Sequence, residues 1–229
     1  MKVTWLTQAG LLFENGKVTV LVDPYLSDSV GETLDPAKHR RVPVDESFFE
    51  KKPDFILITH DHLDHLDPQT LAHFLDTDRQ ITVLAPENAW RELVKYGHGH
   101  NYVLMNPHTV WSEKNLTFYS VKAAHSDPSA VGFIIDDGNA TYYIGGDTLY
   151  NYDVIDEVLE LVEDGVDYAF LPINGVGNNM NARDAADFAY EIGAKHAVPV
   201  HYGLFDEIDP RTFDFDDAMI FLPYRAVEL

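Results

Sequence analysis

Short apolar runs, each closed by a polar or glycine-containing loop, recur along the whole chain. Runs rich in β-branched and aromatic residues predict strands at 3–13, 18–22, 55–58, 81–85, 116–121, 131–135, 141–144, 168–173 and 196–200. Apolar residues at helical spacing predict helices at 68–75, 86–96, 153–162 and 182–192. Because strands and helices alternate, the pattern favours an α/β fold.

Local signals strengthen parts of this prediction. Asn15-Gly16 between two apolar runs is typical of a hairpin turn. Asp67 followed by Pro68 is a helix start, with the aspartate as N-cap and proline in the first turn. No linker or low-complexity stretch interrupts the chain, although residues 26–52 are irregular, so we expect one domain over 1–229.

Polar side chains stand where five of the predicted strands end. Loops at the carboxyl ends of strands are the usual place for binding groups in open α/β sheets, because they are not bound by the packing inside the sheet. These strand-end residues are His60, His125, Asp147, Asn174 and His201.

The segment 59–65, Thr-His-Asp-His-Leu-Asp-His, follows the apolar run 55–58 directly. It places His60, His62, Asp64 and His65 within six positions. Imidazole nitrogens and carboxylate oxygens are preferred ligands of zinc, manganese and iron. A histidine-rich polar loop is the alternative, but the position directly after a buried strand favours a metal site.

The amino-acid composition excludes several classes of site and partner. The 229 residues include no cysteine, which excludes disulfides and thiolate metal sites and is compatible with a reducing cytoplasm. The formal net charge of −22 would repel phosphate backbones, so we expect no nucleic-acid partner. No secretory signal and no long apolar segment is evident, so we expect a cytoplasmic protein without a membrane partner.

The motif His60-x-His62-x-Asp64-His65 resembles the metal-binding signature of the metallo-β-lactamase superfamily. That resemblance implies a four-layer αββα sandwich, formed by one domain with two similar halves that divide near residue 113. It also implies one or two divalent ions per chain. The ligand types favour zinc or manganese, with iron as an alternative.

The same resemblance implies a ligand set. His60, His62 and His125 would hold one ion, Asp64, His65 and His201 a second, and Asp147 would bridge the two. Asp23, where the run 18–22 ends, would support the ligands from behind; an ordinary strand-ending turn is the alternative.

Three stretches of the second half, 144–150, 167–175 and 194–202, are similar to the L-ascorbate-6-phosphate lactonase-like branch of metal-dependent hydrolases. This resemblance implies a lactonase-like hydrolase whose metal-bound hydroxide opens or cleaves a small, anionic ester or lactone. A metal-dependent phosphodiesterase or phosphoesterase is the alternative, and a non-catalytic metal-binding module is a third reading. The expected partner is a small-molecule substrate, and a homo-oligomer remains open.

Further side chains are candidates for catalysis and substrate binding. Asp61, Asp64 where a metal does not fully engage it, or a metal-bound water could protonate the leaving group. Hydrogen-bond donors to a developing oxyanion could come from three residues, Tyr150, Asn174 and Tyr202. The alternative for each is a loop residue that satisfies backbone groups. The cationic pair Arg40 and Arg41 either attracts an anionic substrate or forms an ordinary solvated surface.

Overall fold

The computed structural model describes residues 1–229. The strands are β1 (Lys2–Trp5), β2 (Leu11–Glu14), β3 (Thr19–Val22), β4 (Phe55–Leu57), β5 (Thr82–Ala85), β6 (Asn101–Leu104), β7 (Val110–Glu113), β8 (Leu116–Lys122), β9 (Val131–Asp136), β10 (Thr141–Ile144), β11 (Tyr168–Pro172), β12 (His196–Val200) and β13 (Ala226–Glu228). The α-helices are α1 (Ser29–Thr33), α2 (Pro68–Leu75), α3 (Glu87–Leu93), α4 (Tyr152–Leu161) and α5 (Ala182–Glu191), and 3₁₀ segments lie at Glu46–Glu50, Val94–Tyr96 and Pro210–Thr212. None of these helices has both the length and the apolar character needed to cross a bilayer.

The chain forms two compact units. The first contains Met1–Leu104, Gly203–Glu207 and Phe221–Leu229, and the second contains Met105–Tyr202 and Ile208–Ile220. The first unit holds a seven-stranded sheet in the order β13-β1-β2-β3-β4-β5-β6, and the second a six-stranded sheet in the order β12-β11-β10-β9-β8-β7. The break at Leu104 lies close to the division near residue 113 that the family resemblance implies, whereas the single domain stays a prediction.

In the first unit, apolar strands and amphipathic helices form one core. Strands β3 to β6 run parallel, and α2 buries Leu71 and Phe74 in a cluster that also contains Ile56 of β4. Asp67 caps α2, its side chain accepting hydrogen bonds from the first-turn backbone, and Pro68 opens the helix as predicted. The helix therefore begins and ends at the predicted residues.

The predicted strand 3–13 is wrong as a single element. It is two antiparallel strands, β1 and β2, separated by a turn in which Leu6 N donates to Gly10 O at 2.8 Å. Thr7 and Gln8 take φ of 74° and 47° in this turn. Because both strands are buried, the apolar pattern shows no break there. The hairpin at Asn15-Gly16 is confirmed, and it joins β2 to β3.

Three strands lie outside the sequence-based prediction. They are β6, β7 and β13, and each stands at an edge of its sheet. Strand β6 consists of partly or fully exposed residues, and β7 and β13 also have no buried position. An edge strand is defined by pairing with its neighbour rather than by burial, so its sequence carries a weak hydrophobic pattern.

In the second unit, two glycines bring the turns after α4 and α5 into contact. Gly165 and Gly193 both have left-handed backbone, with φ of 81° and 63°. A Cβ placed on Gly165 would stand 2.2 Å from the carbonyl oxygen of Gly193. Only glycine therefore allows this close approach of the two turns.

Candidate metal centre

The site residues of the first unit follow two neighbouring parallel strands. Val22 of β3 pairs with Leu57 of β4, and the next residue, Asp23, donates its backbone N–H to Leu57 O at 2.9 Å. Asp23 has left-handed backbone, with φ of 42°. This conformation turns the chain at the end of β3 and brings the Asp23 carboxylate beside the segment that follows β4.

The Asp23 carboxylate is fully buried and binds that segment at three points. Oδ1 accepts from Thr59 N at 2.8 Å, and Oδ2 accepts from Thr59 Oγ1 at 2.6 Å. Oδ2 also lies 2.8 Å from His65 Nδ1. An oxygen that holds one ring nitrogen of a histidine directs the other nitrogen towards a metal. These contacts fix the segment after β4 to the end of β3, and the support of metal ligands by Asp23 stays a prediction.

The histidines of segment 60–65 lie together within the first unit. The ring centroid of His60 is 4.6 Å from that of His62 and 4.0 Å from that of His65. His65 Nε2 lies 3.9 Å from Asp64 Oδ2, which also accepts from Gln8 Nε2 at 2.8 Å. Gln8 is absent from the predicted site residues, because it lies in a turn that the uninterrupted apolar pattern does not reveal.

In the second unit, Asp147 lies between two histidines. Its Oδ1 is 3.1 Å from His201 Nε2, and its Oδ2 is 3.8 Å from His125 Nε2. His125 Nδ1 is 3.3 Å from the carbonyl oxygen of Asn178, which holds the ring so that Nε2 is turned to the aspartate. His201 has left-handed backbone, with φ of 59°.

These three residues meet because of the strand directions. Strands β8 and β10 are both antiparallel to β9, and β10, β11 and β12 are parallel, so the carboxyl ends of all four lie at one edge of the sheet. The four predicted strand-end residues of this unit follow within three positions, namely His125, Asp147, Asn174 and His201. The prediction that they gather at one sheet edge is therefore confirmed for the second unit.

The donors fit a divalent ion. The ligand atoms of His60 and His62 lie within 4.8 Å of each other, as do those of Asp64 and His65. Those of His125 and Asp147 lie within the same distance. Imidazole nitrogen with carboxylate oxygen is a set that zinc, manganese or iron can use. The donor chemistry in each unit thus agrees with the predicted metal binding.

The candidate donors to the substrate occupy different surroundings. Burial raises the pKa of the Tyr202 phenol to about 12, and a hydrogen bond with Tyr152 raises that of Tyr150 to about 12. Both phenols are therefore neutral donors near pH 7. Asn174 pairs with Asn181 across a short β-bridge, and its buried side-chain oxygen accepts no hydrogen bond within the protein.

Asp61 stands apart from the other acidic candidate, Asp64, in its exposure. It is exposed and lines an open cavity of about 440 Å³ in the first unit, with Leu63, Leu66 and Tyr96 among its walls. A general acid commonly occupies a buried, apolar setting, and Asp61 does not. Its catalytic role stays a prediction.

Arg40 is held by the protein itself. Its guanidinium donates to the carbonyl oxygens of Tyr25, Ser27 and Val42, and to the hydroxyls of Thr7 and Tyr224. All five N–H groups of the side chain are thereby used. This geometry favours a structural role over the predicted contact with substrate.

Arg40→Ala is expected to lower the free energy of unfolding by about 2–4 kcal/mol, because it leaves carbonyl groups without their donor. Arg41→Ala is the matched control: its side chain is 49% exposed and pairs with the exposed Glu207, so a loss below about 1 kcal/mol is expected. Urea unfolding measures both. A raised KM with unchanged stability in Arg40→Ala would instead support the substrate-binding prediction.

Known proteins resemble this chain over most of its length. A family model described as a beta-lactamase superfamily domain matches residues 18–202. The chain is 32% identical over 217 residues to a UPF0173 metal-dependent hydrolase of Caldivirga maquilingensis, covering 91% of this chain and 86% of the relative.

Solved structures share the fold. Igni18, a metallo hydrolase from Ignicoccus hospitalis, matches with a TM-score of 0.79 and 20% identity, over 99% of this chain and 97% of that one. The metallo-β-lactamase fold protein YhfI from Bacillus subtilis matches with a TM-score of 0.72 and 17% identity, over 99% of both chains. The predicted α/β fold class is therefore confirmed. The chain belongs to the beta-lactamase superfamily and, within it, to the UPF0173 family of metal-dependent hydrolases.

Proposed function

We propose that this protein hydrolyses a small, anionic ester or lactone with the help of one or two divalent ions. The observation that carries the proposal is the fixed orientation of the candidate ligands. His65 and His125 each have Nδ1 held by an oxygen of the protein, and buried Asp147 faces two imidazoles. The proposed ligands are His60, His62, Asp64, His65, His125, Asp147 and His201.

A divalent ion bound by these ligands would lower the pKa of water and polarise the oxygen under attack. The side chains of the protein supply the rest. The neutral phenols of Tyr150 and Tyr202 and the amide of Asn174 are proposed to donate to the negative charge that develops on the substrate. Asp64, or Asp61 from the exposed side of the same segment, is proposed to take up the proton that the attacking water releases and to pass it to the departing alkoxide.

The choice between an ester or lactone and a phosphodiester is a matter for a substrate panel. The protein, purified without chelators and analysed for bound zinc, manganese and iron, is assayed on an aliphatic lactone, a carboxylate ester and bis-p-nitrophenyl phosphate. Acid release from the lactone or ester supports the proposal and the lactonase-like resemblance. Turnover of the phosphodiester alone would favour a phosphodiesterase. Metal-loaded protein that is inactive on all three would favour a binding module.

Chelation is expected to abolish hydrolysis and to lower the melting temperature. An ion that binds only the folded chain stabilises it by about 2.7 kcal/mol at a hundredfold excess over Kd. Calorimetry before chelation, after chelation and after return of zinc, manganese or iron measures this effect. Full activity in the metal-free protein would contradict the proposed role of the ions.

A further inference from the structure

Asp23 and Thr59 form a short hydrogen-bond chain that reaches two histidines. Oδ2 of Asp23 touches His65 Nδ1 at 2.8 Å and Thr59 Oγ1 at 2.6 Å. Thr59 Oγ1 in turn lies 3.0 Å from His60 Nδ1, and its distance of 3.4 Å to His65 Nδ1 is longer than the 2.8 Å between that nitrogen and Asp23. The four residues are buried, with an exposed fraction of 0% for each. Water therefore does not compete for these contacts.

The direction of each bond follows from the chemistry of its groups. A carboxylate only accepts, so His65 carries its proton on Nδ1. Thr59 has one hydroxyl proton, which it donates to Asp23, so its oxygen accepts at His60. His60 must then also carry its proton on Nδ1. In both rings the lone pair is left on Nε2, the nitrogen that takes no part in the hydrogen bonds with Asp23 and Thr59.

We infer that Thr59 is a positioning residue that sets the tautomer of His60, and that Asp23 through Thr59 sets two histidines at once. The inference extends the proposed metal centre. In the ligand set implied by the family resemblance, His60 and His65 belong to different ions. Asp23 would then affect the binding of both ions, whereas Thr59 would affect the binding of only the ion that His60 holds.

Substitutions of Thr59 and of Asp23 should affect different numbers of histidines. Thr59→Val keeps the shape but removes the hydroxyl, so His60 loses its acceptor and becomes a mixture of tautomers while His65 is unchanged. Asp23→Asn presents an NH₂ group where the oxygen was, if its remaining oxygen keeps the bond from Thr59 N. His65 Nδ1 and Thr59 Oγ1 must then accept hydrogen bonds from this NH₂ group. Thr59 must donate its own proton to His60 Nδ1. Both rings therefore carry their proton on Nε2 instead of Nδ1.

The test is nitrogen-15 NMR of the imidazoles in the full chain after chelation, where the shifts distinguish protonated from unprotonated ring nitrogens. Wild type and Thr59→Ser should show His60 and His65 with the proton on Nδ1. Thr59→Val should change His60 alone, and Asp23→Asn should change both. An unchanged His60 in Thr59→Val, or an effect of Asp23→Asn confined to His65, would overturn the inference.

Metal affinity gives a second readout. Loss of an outer partner typically weakens metal binding by roughly 10–100-fold. Zinc titration against a chromophoric chelator should show that Thr59→Val binds one zinc equivalent more weakly and that Thr59→Ser restores its affinity. Asp23→Asn should bind two equivalents more weakly. Equal weakening of both equivalents in Thr59→Val would overturn the selective role of Thr59. Expected tautomers in a protein that hydrolyses nothing would refute the proposed function and leave this inference standing.

Discussion

Asp147→Ala is expected to lower bound metal and kcat/KM together, the latter by at least about 100-fold. Asp147 is only 6% exposed, and its two oxygens face His201 and His125 at 3.1 and 3.8 Å. Removal of an outer partner of a metal ligand already costs roughly 10–100-fold, so the loss of a carboxylate that contacts both imidazoles should cost more. Metal analysis of the purified variant beside steady-state kinetics measures both effects.

Asp156→Ala is the matched control, because it removes the same charge from an exposed position of α4. It should retain its metal and its activity. If Asp147→Ala also kept wild-type metal content and turnover, the bridging role of Asp147 would be refuted.

Gly165→Ala is expected to destabilise the second unit strongly. The left-handed backbone at Gly165 alone costs a non-glycine residue about 1–2 kcal/mol. The new methyl group would also stand 2.2 Å from the carbonyl oxygen of Gly193, and only a backbone shift can relieve that contact. A total loss of about 3 kcal/mol or more in the free energy of unfolding is expected.

Gly138→Ala separates the two contributions. Gly138 has a similar φ of 80°, but a Cβ there meets no atom within 4 Å. It should therefore lose only the backbone contribution, about 1–2 kcal/mol. Urea unfolding of the two variants and wild type measures the difference. Equal losses would mean that the turns after α4 and α5 separate at little cost.

The buried elements could be predicted from the sequence because their hydrophobic pattern is unambiguous. Strands β4, β8 and β10 and helices α2 and α5 fall within one or two residues of their predicted bounds. The edge strands β6 and β13 could not be predicted, since they are short and none of their residues is buried. The turn at Thr7 and Gln8 was hidden for the opposite reason: both of its residues are buried, like the strands beside it.

The candidate ligands were predictable because strand ends and residue types mark them, whereas the contacts behind them were not. Thr59 lies inside the histidine motif, but only the geometry shows that its hydroxyl joins Asp23 to His60. Likewise Asn178 touches His125 through its backbone carbonyl, which any residue could provide. A contact through the backbone, like that of Asn178, leaves no mark on the identity of the residue that makes it.

The left-handed backbone at His201 has a consequence for mutagenesis. His201 takes φ of 59°, a region that costs L-residues about 1–2 kcal/mol and that histidine and asparagine enter more readily than alanine. Alanine scanning would therefore mix a conformational penalty with the loss of the imidazole and exaggerate the apparent importance of the side chain. Asparagine is the cleaner probe at this position, and a difference in stability between the two variants would measure the conformational penalty directly.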